Sequence, residues 1–191
     1  MSTLAIVGSP RKNGNTEILT KHTLKAIQDE GLDTELVSLY EYEIKGCTAC
    51  DLCKKEERCP IKDDLFPIYN KMKQADAIIF ASPVYFGSVT PEIKAVMDRA
   101  GYIAVNNGRP FERKVGGPLV VAERGGHNFT IAQIAYWFYY QGCIIPGSTD
   151  WNMAFGSKKG EVMKDKVGLE TAWNFGKNVA FLVKKLKDST E

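Results

Sequence analysis

The chain has 191 residues, of which 44% are hydrophobic and 25% charged, and its 25 basic against 23 acidic residues leave a net charge of +2. A chain of this length buries a real core as one domain, and so balanced a charge excludes nucleic acid or a membrane surface as the main partner. No apolar run approaches the roughly 18 residues of a transmembrane helix. No basic segment precedes the first apolar stretch, so no secretory signal is expected and the chain reads as cytoplasmic. There its five cysteines stay reduced rather than forming a disulfide framework.

Along the chain, strand and helix patterns alternate. Leu4-Ala5-Ile6-Val7 is a short apolar run ending in Gly8-Ser9-Pro10, the pattern of a buried parallel strand feeding a loop. Apolar residues recur at helical spacing from Thr16 to about Glu30, and Gly31 ends that helix. Thr34–Leu39 is a second strand, followed by a cysteine-rich segment and a helix from Asp63 or Asp64 to about Lys73. Ala77–Ala81 is the third strand, Pro91–Ala100 a helix opened by its proline, and Gly117–Ala122 the fourth strand. An aromatic-rich helix over 129–141, a short fifth strand at Ile144-Ile145 and an amphipathic helix over 168–187 complete the chain. Five strands alternating with helices imply an α/β fold with a doubly wound parallel sheet.

In such a sheet a ligand sits beyond the carboxyl ends of the strands. Three loops lie there: Ser9–Thr16, Ser82–Ser88 and Glu123–His127. The first offers Ser9, Arg11, Asn13, Asn15 and Thr16 around a helix N-terminus, where N–H groups and the helix dipole favour an anion. It is not a P-loop, because five residues separate Gly8 from Gly14 and Asn15 stands where the lysine would be; nor is it a Gly-x-Gly-x-x-Gly fingerprint. Pro83, Val84, Tyr85, Phe86 and Gly87 set an aromatic pair beside main-chain groups, suited to a flat ring. Glu123, Gly125 and Gly126 complete the edge, their glycines letting backbone come close to that ring. Together the loops fit FMN.

Gly8-Ser9-Pro10-Arg11 with Asn15-Thr16, Ser82-Pro83-Val84-Tyr85-Phe86-Gly87 and Lys94-x3-Asp98-Arg99 resemble the flavodoxin-like NAD(P)H-dependent FMN reductase superfamily. The likeness is specific mainly between residues 4 and 99.

Cys47, Cys50, Cys53 and Cys59 form a C-x2-C-x2-C-x5-C run, the ligand complement of a cubane with one thiolate per iron. A structural zinc site is the alternative, although zinc ordinarily takes paired C-x2-C knuckles set further apart. Cys143 reads as a buried core residue. On an FMN reductase framework, the compact motif resembles the iron–sulfur flavoprotein family. That resemblance implies one 4Fe–4S cluster, held within residues 46–62, and one FMN per chain. It also implies a homodimer or homotetramer and electron exchange with ferredoxin. The cofactors would carry the chemistry, and no side chain stands out as a general acid or base. Lys54, Lys55 and Arg58 would offset the cluster's charge or meet an acidic ferredoxin. His22 reads as a surface residue, and His127 lies near the expected flavin. The aromatic helix is too apolar all round for a solvated one, which points to a subunit interface. Direct use of NAD(P)H stays open. So do two other readings: an FMN or quinone reductase with structural zinc, and a non-enzymatic redox sensor.

Overall fold

A computed structural model describes residues 1–188. Five strands, β1 (Ser2–Val7), β2 (Asp33–Ser38), β3 (Ala77–Pro83), β4 (Val115–Ala122) and β5 (Met153–Phe155), form one sheet in the order β2-β1-β3-β4-β5. Every pairing is parallel. The helices α1 (Asn15–Asp29), α2 (Leu65–Gln74), α3 (Pro91–Asn106), α4 (His127–Gln141) and α5 (Lys166–Asp188) cover both faces.

Alternating strand residues point to opposite faces, and this sorts the core into two layers. Leu4, Ile6, Ile78 and Phe80 pack with α2, α3 and α4. Ala5, Val7, Ile79 and Ala81 pack with α1 and α5. A strand buried on both faces must be continuously apolar, which is why β1 and β3 stand out in the sequence.

The fifth strand is not where the sequence places it. Ile144 makes only an isolated bridge to Val115, at the start of β4. Pro146 explains this: after the Ile144 N–H donates to Lys114 O and Ile144 O accepts from the Gly116 N–H, the next ladder bond needs an N–H at residue 146, which proline lacks. The strand that pairs with β4 is Met153–Phe155, in register with Val120–Ala122 at the carboxyl edge. Three helices also differ in extent, α5 beginning at Lys166 rather than 168. α3 runs on to Asn106, through Gly101, whose missing Cβ leaves room for Trp137: a Cβ there would stand 2.5 Å from Trp137 Nε1. α4 begins at His127 rather than 129.

Candidate functional site

Beyond the carboxyl ends of β1, β3 and β4 lies a cavity of about 160 Å³. Ser9, Arg11, Asn15, Thr16, Pro83, Val84, Tyr85 and Glu123 of the predicted set line it, and Gly156 and Ser157 join them. Sequence reading missed the last two because they follow the misplaced fifth strand. A Cβ on Gly156 would stand 2.8 Å from both Asn15 Nδ2 and the Val162 N, so only glycine lets the two loops close here.

The N-terminus of α1 faces this cavity without a side-chain cap, since Gly14 occupies the N-cap position. Its first-turn N–H groups are therefore left for an anion. The side chains around it are partly committed. Ser9 Oγ accepts from the Arg11 N–H at 3.2 Å and shapes the loop. Asn15 Nδ2 donates to Lys158 O at 2.9 Å, while its Oδ1 accepts from the Gly160 N–H at 2.8 Å. Asn15 is thus a latch between two loops rather than a free phosphate donor.

Asn13 lies away from the cavity. Its N–H donates to Glu17 Oε2 at 2.8 Å, and its side chain accepts from Lys21. Burial works to raise the pKa of Glu17, but the hydrogen bonds from Lys21 and from the Asn13 N–H outweigh it and hold the carboxyl below its ordinary range. An ionised carboxylate is thereby fixed in the first turn of α1.

Residues 85–88 form a tight turn: Tyr85 and Ser88 exchange N–H···O bonds of 2.9 and 3.0 Å, with Phe86 and Gly87 both at positive φ. An aromatic residue in the left-handed region is uncommon and strained. This one stands fully in solvent, outside the cavity that Tyr85 lines. Gly87, Gly125 and Gly126 also stand back from the cavity wall. Gly126, at φ +88°, supports it from behind, because a Cβ there would meet Val84 Cγ1 at 2.8 Å. His127 is buried, its Nε2 within 3.2 Å of Ala154 O, and burial lowers its pKa. It braces β5 rather than lining the cavity. His22 is half-buried against Trp173 instead of lying free on the surface.

The four clustered cysteines open on a second cleft, with Arg99, Tyr102 and Ile103 of α3 on its wall. Ala49 and Asp51 both have positive φ, and these two left-handed residues wind the chain back between the cysteines. Desolvation pushes the Cys53 thiol up, and the proximity of Cys50, Cys59 and Cys47 adds to the shift. Arg99 is the residue sequence reading left without a role here. Its Nη2 donates to Cys59 Sγ at 3.2 Å and to Asp63 Oδ1 at 3.0 Å, and its Nη1 donates to Lys45 O at 2.9 Å and to Asp63 Oδ2. Both side chains of that ion pair are 1% exposed. Asp63 thus holds an arginine while its Oδ1 also accepts from the Leu65 N–H at the start of α2, whose N-cap position is taken by Asp64. Two of the three cations expected to offset the cluster are matched locally, Lys54 by Asp51 and Arg58 by Glu56.

The cleft does not sit beside the cavity. Thr90, just before α3, donates from Oγ1 to Gly8 O at 2.8 Å and so ties α3's start to the cavity edge. Arg99 and Ile103 lie roughly 12 and 18 Å further along the helix at 1.5 Å per residue. The cysteine segment leaves the carboxyl edge and runs down the flank of α3.

Residues 1–158 match the family described as NADPH-dependent FMN reductase. An iron–sulfur flavoprotein of Methanocaldococcus jannaschii is 42% identical over 98% of this chain and 100% of its own length. One from Methanosarcina thermophila is 34% identical over the same shares. The chain belongs to the iron–sulfur flavoprotein family. Membership places it among flavin-dependent oxidoreductases and electron-transfer proteins. Among solved structures, a flavodoxin WrbA-like protein from Agrobacterium tumefaciens superposes with a TM-score of 0.69 at 18% identity, covering 96% of this chain and 98% of that one. An archaeal flavodoxin gives 0.65 at 17%, covering 96% and 99%. These two show the flavodoxin-like fold. Among the described residues no helix is long and apolar enough to cross a membrane.

Proposed function

We propose that this chain takes single electrons from a ferredoxin-type carrier through a 4Fe–4S cluster and delivers them through FMN to an acceptor. The observation that carries the reading is the pairing of a four-thiol cleft with an uncapped, flavin-type phosphate cavity, both braced by α3. A cluster supplies one-electron steps and a flavin supplies both one- and two-electron steps, so together they turn single electrons into a two-electron reduction.

The four thiols that line one cleft supply the donor set of a cluster and the cavity residues that of a phosphate, although no three of the described side chains are gathered as tightly as a single metal ion needs. At the cavity, the first turn of α1 would receive the FMN phosphate, with Ser9, Arg11 and Thr16 around it. The cavity is smaller than the roughly 300–1,000 Å³ of ordinary cofactor sites. The ring would therefore stand partly outside it, near Tyr85 and the exposed Phe86. Asn13 and Gly125 would act through loop shape, and Gly87 and Gly126 through the turn behind Val84. In residues 46–62, Cys47, Cys50, Cys53 and Cys59 would hold the cluster. Among the described residues Arg99 Nε is buried without a hydrogen-bond partner, a donor left over for an acceptor such as a cluster sulfide.

The separation along α3 favours transfer between chains. A homodimer or tetramer would bring one chain's cleft to another's flavin. Phe129, Tyr136, Tyr139 and Tyr140, all more than 60% exposed on α4, supply an apolar face for such contact. The test is anaerobic purification with assays for iron, acid-labile sulfide, zinc and FMN, then spectra during titration with reduced ferredoxin, NADH and NADPH. Bleaching of both chromophores by ferredoxin is expected. Stoichiometric zinc without iron would sink the proposal in favour of an FMN reductase with a structural metal.

A further inference from the structure

The geometry points to the Arg99–Asp63 pair as the element that sets the reduction potential of the cluster, Arg99 raising it and Asp63 limiting the rise. The inference rests on the cluster reading above and concerns a pair of positioning residues, not ligands. Four observations carry it. Arg99 donates from Nη2 to the sulfur of Cys59 at 3.2 Å. Its Nε is buried with no hydrogen-bond partner among the described residues, on a side chain that lines the cysteine cleft. It cannot swing away, because Nη1 is fixed on Lys45 O at 2.9 Å and both terminal nitrogens are bound to Asp63. Asp63 is itself fixed, since it accepts from the N–H groups of Lys45 and Leu65.

Reduction adds one electron, and hence one negative charge, to the cluster, with no bond formed or broken. A hydrogen-bond donor on a ligand sulfur and a cation out of water both favour that added charge, and hydrogen bonds to the sulfurs are among the levers that set such potentials. The surface cations near the cleft, Lys54, Lys55 and Arg58, are exposed and act through solvent, which screens them, and Lys54 and Arg58 are also paired locally. The buried guanidinium is not.

The carboxylate of Asp63 partly cancels the guanidinium charge. Removing each partner in turn should therefore move the potential in opposite directions, which loosened packing would not do. The experiment uses the full chain with both cofactors, loaded anaerobically and checked for iron, sulfide and FMN. Cluster and flavin midpoints are read by spectroelectrochemistry and low-temperature paramagnetic resonance.

For Arg99→Gln the cluster midpoint should fall by a tenfold change in the reduced-to-oxidised ratio or more, about 59 mV for one electron. For Asp63→Asn it should rise. The flavin midpoint should stay put in both. Coincident cluster midpoints in wild type and Arg99→Gln, or shifts of the same sign in both variants, overturn the inference. If Arg99→Gln does not retain its cluster, Asp63→Asn decides, and a midpoint at or below wild type there overturns the inference as well. Absence of iron from the wild-type protein would instead defeat the cluster reading.

Discussion

Gly8→Ala probes the join between β1 and the phosphate loop. A Cβ at residue 8 would stand 2.0 Å from Ile93 Cγ1 and 2.7 Å from Thr90 Oγ1. Carbon atoms prefer 3.5–4.0 Å, so the first contact is short by about 1.5 Å. Neither side can yield easily. The Gly8 N–H donates to Ala81 O at 2.8 Å, and Gly8 O accepts from Thr90. Ile93 is wholly buried in the core. Forcing an extra carbon into packed surroundings costs about 1–3 kcal/mol, and two pinned flanks place this site at the upper end. At about 2–4 °C per kcal/mol for a chain of this size, the melting temperature should fall by roughly 4–12 °C. The displaced loop should also weaken FMN binding, read as quenching of flavin fluorescence on titration into apoprotein. Ile93→Ala removes the offending Cγ1, so in a double-mutant cycle the two changes should cost less together than the sum of each alone. A Gly8→Ala protein as stable as its parent, or a strictly additive double mutant, would refute the steric argument.

Asn15→Ala removes the bonds to Lys158 O and the Gly160 N–H, at a net cost of about 0.5–1.5 kcal/mol each; urea unfolding should show the loss, and faster amide exchange should be confined to residues near 156–162. Glu17 has a folded pKa below its ordinary value, so its contribution is present above the unfolded value and lost as pH falls through the folded one. The stability gap between wild type and Glu17→Gln should be flat near neutrality and shrink below about pH 4.5; a gap that widens in acid contradicts the assignment. In protein stripped of metal, Cys143 should alkylate last of the five cysteines at pH 8, because burial pushes its thiol up to about 12; mass spectrometry of the time course checks the order.

Much of the fold is legible locally, because a parallel strand covered on both faces must be apolar throughout. Leu4–Val7 and Ala77–Ala81 carry that signature at the centre of the sheet. Edge strands carry less of it. β5 has three residues, of which only Ala154 is fully buried, so Ile144-Ile145 outscores it on apolarity while making one bridge. The error carried through to the candidate site and hid Gly156 and Ser157. α3 extends past Ala100 because Gly101, which as a glycine weakens a helix, is the contact point of two helices.

By itself the sequence determined the alternating α/β pattern, the loops at the strand ends and the grouping of four cysteines. These are properties of neighbours along the chain, set by backbone geometry and side-chain type. Tertiary structure alone decided that Asn15 latches the loop after β5 and that Phe86 faces solvent. It also set the cysteine cleft far down α3 from the flavin-type cavity. And it brought Arg99, 40 residues from Cys59, within a hydrogen bond of its sulfur. Such pairings depend on where packed helices and crossover connections place remote segments, and no local periodicity encodes that.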